Sequence, residues 1–164
     1  MEDVNDQRKT FTTVTLIDLI NKTLTTNINL LGENFTIADT LPKRIWKYTN
    51  KVREIAGIEC QQVFTQIDDS TKIYAWFDPQ VIPAVGPESY GDLPGVILGL
   101  AYEDGSITYF ATKVNTDYPT ELQNYTRTPN KKKYNRHAFD KEFSTKYDAG
   151  NRYHKLIEDL LHFY

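Results

Sequence analysis

The chain has 164 residues, a formal net charge of −3 and 13% aromatic residues, 11 of them tyrosine. That length suits one domain with a real core, the mildly acidic balance gives no electrostatic footprint for nucleic acid, and the single cysteine, Cys60, excludes an internal disulfide and any cysteine-based zinc cluster. No run approaches the roughly 20 apolar residues of a membrane span, and nothing at the N-terminus resembles a signal peptide.

Residues 1–9 are polar and expected to be disordered. Thr10 to Ile20 is rich in β-branched residues and reads as a strand, although Leu16 to Leu24 also tolerates a helical reading. Thr23 to Leu31 and Phe35 to Ala38 flank the turn signal Gly32-Glu33-Asn34 and read as a hairpin. Pro42 resets the chain before a strand around Arg44 to Thr49, and Gly57 separates that strand from a stronger one, Glu59 to Ile67. Asp68-Asp69-Ser70 connects it to Thr71 to Phe77. There Ile73, Ala75 and Phe77 face one side while Tyr74 and Trp76 face the other, because side chains alternate along a strand.

Between Asp78 and Gly95 stand four prolines and three glycines, which forbid regular pairing and predict an ordered strap. Gly95 to Tyr102 then meets Ser106 to Val114 through Glu103-Asp104-Gly105, a strong hairpin signal. Pro119 and Pro129 bracket a polar loop, and Lys131-Lys132-Lys133 beyond it reads as a solvated turn before a helix at Arg136 to Tyr147. Gly150-Asn151 ends that helix, and Tyr153, Leu156, Ile157, Leu160 and Leu161 give a last helix, Arg152 to Phe163, an apolar stripe.

The strap ends in Asp92-Leu93-Pro94-Gly95-Val96-Ile97. Together with the Trp46 to Gln62 stretch containing Ile58-Glu59-Cys60, with Tyr74-Ala75-Trp76-Phe77, with Ile82-Pro83-Ala84-Val85-Gly86-Pro87 and with Arg136 to Phe143, it resembles the GLPGLI family of secreted Bacteroidota proteins, whose activity is not established. Asp92 stands where the first motif glycine is expected, and an aspartate reaches positive φ less cheaply than glycine. The resemblance implies a periplasmic or outer-membrane-associated location. It also implies an outer-membrane transport component as a partner, since family members are often encoded near such components. On that footing Met1 and the acidic Glu2 to Asp6 read as an engineered start on a mature domain whose signal peptide is absent.

No nucleophile elbow, nucleotide-binding loop or paired-histidine zinc motif occurs. His154 and His162 are about two helical turns apart, too far to share a metal, and His137 stands elsewhere. No cofactor or metal is therefore expected. Asp78 and Asp92, both near turns, are the only carboxylate pair worth weighing for a hydrolase, and turn formation accounts for both. Cys60 reads as a small buried hydrophobe.

What remains is aromatic. Trp46, Tyr74, Trp76, Tyr90, Tyr102 and Tyr109 either pack the core of a β-rich domain or line the mouth of a curved sheet that holds an apolar or peptide-like ligand. The expectation is a mainly β (α+β) fold in a single domain spanning residues 1–164. It has one curved antiparallel sheet or half-barrel, the proline- and glycine-rich strap, and a helical part over 136–164. The expected function is non-enzymatic ligand or partner binding at the cell envelope, with a carboxylate-dependent hydrolase and a structural interaction module as alternatives.

Overall fold

The computed structural model describes residues 13–30, 33–68, 71–115, 117 and 133–146. Among them the chain forms β1 (Thr13–Asp18), β2 (Thr23–Leu30), β3 (Glu33–Thr40), β4 (Lys47–Ile55), β5 (Ile58–Gln66), β6 (Lys72–Asp78), β7 (Val96–Tyr102), β8 (Thr108–Phe110), β9 (Lys133–Tyr134) and α1 (Arg136–Lys146). The fold is mainly β, as the alternation predicts. Its strands, however, form two sheets and not the single sheet expected: one of order β1-β2-β3-β9 and one of order β4-β5-β6-β7-β8. The division falls at residues 41–46, which have no ladder and include Pro42, a residue without an N–H to donate. Strand β3 takes β9 as its second neighbour instead, in parallel. The expected helix Arg152 to Phe163 and the polar segment 1–9 lie outside the described residues.

By its contacts the chain divides into two compact units, the first holding β1–β3, β9 and α1 and the second β4–β8. In the first unit, Leu24, Thr26 and Ile28 are buried while Thr23, Thr25 and Asn27 between them are half-buried, the period-2 pattern of a sheet covered on one face. Helix α1 starts where Asn135 caps it, its side-chain oxygen accepting from the Ala138 N–H at 2.8 Å. Phe139 then packs edge-on against Phe35 and Tyr134, with ring centroids 5.5 and 5.8 Å away. The reading of a helix from Arg136 agrees with this element.

The second unit is an antiparallel meander. Strand β4 runs on to Ile55, well past the expected end near Thr49, and the two-residue turn Ala56-Gly57 joins it to β5. Charged residues hide β4 in the sequence because it is an edge strand, exposed along almost its whole length. It also carries a bulge: Tyr48 pairs with Val63 and Val52 with Gln61, so three residues of β4 stand opposite Gln62. The hairpin through Glu103-Asp104-Gly105 forms as expected, with Gly105 at φ 73°.

This sheet is strongly curled. A methyl group at Gly99 on β7 would stand 2.7 Å from Cδ1 of Ile55 on β4. The guanidinium of Arg53, also on β4, lies 4.4 Å over the ring of Phe110 on β8. In a flat sheet these strands would be about 14 and 19 Å apart. Side chains meet across such a span only on the inner side of a curve, so the face carrying Arg53, Ile55, Trp76 and Phe110 is concave.

Candidate functional site: the strap and the concave aromatic face

The strap, residues 79–95, lies on the convex face and closes it. Val63, Ile73, Ala75, Phe77, Ile97 and Leu100 of the sheet pack with Tyr90 and Leu93 of the strap. Gly95 is required by what surrounds it. A Cβ there would fall 1.9 Å from the carbonyl oxygen of Asp78, so the strap can rejoin the sheet beside the end of β6 only with glycine at that place. Asp92 takes the left-handed conformation all the same, at φ 61°. Aspartate is among the few non-glycine residues that tolerate that region.

The segment before β4 pins the strap. Arg44 donates to the Ser89 carbonyl at 2.8 Å and to the Ser89 hydroxyl at 3.0 Å, and its guanidinium stacks 4.1 Å from the centroid of Tyr90. Trp46 Nε1 donates to the Gly91 carbonyl at 2.8 Å. Tyr109 donates from its hydroxyl to Glu88 at 3.3 Å. Burial pushes the Glu88 carboxyl above its ordinary pKa, an effect that this hydrogen bond opposes. Burial, with the neighbouring Tyr102 adding to it, also raises the Tyr90 phenol.

The six aromatic residues singled out from the sequence therefore separate into two groups. Tyr90 is 1% exposed and Trp46, Tyr102 and Tyr109 pack against the same cluster, so these four hold strap to sheet. Tyr74 and Trp76 point the other way, into the concave face. Sequence reasoning missed their neighbours there. Phe64 lies across from Tyr74 with centroids 6.0 Å apart, and Phe110 lies 5.4 Å from Trp76. Lys47 stands 5.8 Å over Phe64, while Arg53 spans Trp76 and Phe110 at 5.6 and 4.4 Å. Gly99 makes room for the Phe110 ring, since a Cβ would meet it at 2.8 Å. The signal for Phe64 was the β5–β6 register, but Arg53 and Phe110 come from opposite edges of the sheet and nothing local joins them.

The deep end of the concavity is filled by Ile55, Cys60 and Leu98. Cys60 is fully buried, and burial together with the nearby Asp78 charge raises its thiol pKa, consistent with a packing role. Asp78 itself accepts from the Gln80 N–H at 2.9 Å in a tight turn. Asp92 sits on the strap side, where its charge favours the charged Arg44. The two carboxylates thus belong to opposite faces of the sheet and share no cleft. Among the described residues no group of three His, Cys, Asp or Glu side chains could hold a metal ion. No helix among them is long and apolar enough to cross a membrane.

The first unit has a groove of about 800 Å³ lined by Leu16, Asp18, Thr25, Asn27, Thr36 and Lys133, among others. Its polar groups are largely committed. Asp18 accepts from the Ile20 and Asn21 N–H groups of its own turn, and the Thr36 hydroxyl donates to Asn27 at 2.8 Å.

A family model described as a protein of unknown function (Porph_ging) matches residues 42–99. That is the part of the chain carrying the strap, its Arg44 and Trp46 anchors and strands β4 to β6 with the start of β7. No curated protein sequence matches the chain. Two solved structures of PNGF-II share its fold. The one in space group C2 has a TM-score of 0.63 at 20% identity, and the one in P21 has 0.62 at 16%. Each comparison covers 80% of this chain and 24% of PNGF-II, so the chain spans about a quarter of the length of the structures it resembles.

Proposed function

We propose that the chain is a non-enzymatic binding module of the cell envelope whose ligand or partner is taken on the concave aromatic face of the second unit. One observation carries this reading. Phe64, Tyr74, Trp76 and Phe110 converge on one face with Phe110 still 37% exposed, whereas the opposite face of the same sheet is sealed by the strap. A domain that needed only a core would have its large rings inside it. Half-buried aromatic groups with a few polar heads are the usual lining of a ligand site. The envelope location rests on the motif resemblance.

Native mass spectrometry of the protein purified from a Bacteroidota host, before and after mild denaturation, tests the proposal. The expected result is a bound mass that is lost on unfolding and missing from Trp76→Ala and Phe110→Ala. A wild-type protein carrying no bound mass, or variants that keep it, would overturn ligand binding at this face. An interaction module without a small ligand is the second reading, favoured by the occurrence of the fold as a quarter of a longer chain.

A further inference from the structure

The cations of the concave face have chemistry to spare. Among the described residues the side chains of Arg53 and Lys47 make no hydrogen bond and no ion pair, and their heads rest on aromatic rings alone. An arginine presents five N–H donors in a planar fork, and one held over two rings is fixed in place with those donors unused. Two carboxylates of this sheet are engaged elsewhere. Glu103 takes the Lys72 ammonium at 3.4 Å and the Tyr74 hydroxyl at 3.2 Å, and Asp78 is bound in its own turn. In a chain of net charge −3, the face thus offers two cationic heads resting on apolar rings.

Building on the proposed binding role of this face, we propose that its occupant is an acidic peptide segment whose carboxylates alternate with apolar side chains. The carboxylates engage the Arg53 fork and the Lys47 ammonium, and the apolar side chains cover the rings of Trp76, Phe110 and Tyr74. Carboxylate is the anion that matches a guanidinium fork in two parallel hydrogen bonds. Half-exposed rings beside it call for hydrocarbon, which a peptide supplies next to its charge. The bulge of β4 interrupts the ladder of that edge, so recognition rests on side chains and not on an added strand.

The test is fluorescence anisotropy with a labelled peptide alternating Glu and Leu, against its Lys and Leu counterpart. Wild-type protein is expected to bind the acidic peptide and not the basic one, more weakly as ionic strength rises. Arg53→Ala should lower affinity at least about tenfold, the loss typical of a charge-assisted hydrogen bond, and Arg53→Lys should fall between. Lys47→Ala should lower it less, and Lys22→Gly, in the first unit, should leave it unchanged. Equal binding of both peptides, or an Arg53→Ala protein that binds like wild type, would overturn the assignment. So would an oligogalacturonate that binds in place of the peptide. Failure of the acidic peptide while Trp76→Ala still removes the co-purified mass would end this inference alone; a co-purified mass that survives Trp76→Ala would end both.

Discussion

The hydroxyls of Tyr90 and Tyr102 meet at 3.0 Å, joining the strap to β7 through the tips of two rings. Tyr90 is buried, so removing the Tyr102 hydroxyl withdraws a partner from a polar atom that has little access to water. Tyr102→Phe is expected to lower unfolding free energy by about 1 kcal/mol, within the range for a buried hydroxyl deprived of a partner. In a double-mutant cycle with Tyr90→Phe, chemical denaturation should show the double variant losing less than the two single losses combined.

Ala56 and Gly57 both hold positive φ, 51° and 79°, between the paired residues Ile55 and Ile58. That is the two-residue hairpin turn in which asparagine followed by glycine is preferred, and alanine is strained in its first place. Ala56→Asn is expected to stabilise the protein by about 0.5–1 kcal/mol, read as a rise in the urea midpoint at unchanged slope.

Glu54 and Glu59 stand directly opposite each other beside the same turn, both exposed. Like charges in such a cross-strand pair repel. Glu54→Lys converts the pair to an attraction and should raise stability by a few tenths of a kcal/mol, with the gain shrinking as salt is added. A gain that salt leaves unaltered would assign it to packing.

Glu88 gives the strap a pH dependence. Its carboxyl pKa is raised in the folded chain, chiefly by burial, so the folded state keeps the proton to higher pH than the unfolded state does. The associated stability is fully present below the ordinary carboxylate pKa and is lost as pH rises through the folded value. Glu88→Gln should therefore melt at a higher temperature than wild type at neutral pH, and the difference should close as the pH is lowered past the ordinary carboxylate range.

Local signals located most of the elements. Thr71 to Phe77 could be assigned to a strand with Ile73, Ala75 and Phe77 on one face and Tyr74 and Trp76 on the other because alternation is a property of neighbours, and the Asp104-Gly105 turn announced its hairpin for the same reason. Strand β4 was legible only as far as Thr49, because an edge strand with a bulge has no apolar alternation to read. The partition into two sheets turned on Pro42, whose effect depends on which strand would otherwise have paired there. At the site, the opposite directions of Phe77 and Trp76 were readable, but the fate of Tyr90 was not. The strap could cross either face, and only the Arg44 and Trp46 contacts to Ser89 and Gly91 decide which one it seals.

The bulge in β4 has a consequence for how the molecule meets its own kind. Its interrupted stretch is tied inward: the Gln61 amide donates to the carbonyls of Thr49 and Lys51, and the Thr49 hydroxyl donates to Gln62. A second copy approaching this edge would find carbonyls already satisfied and a backbone out of step with its own. That is a barrier to runaway stacking along the long open edge that β4 gives the second sheet among the described residues.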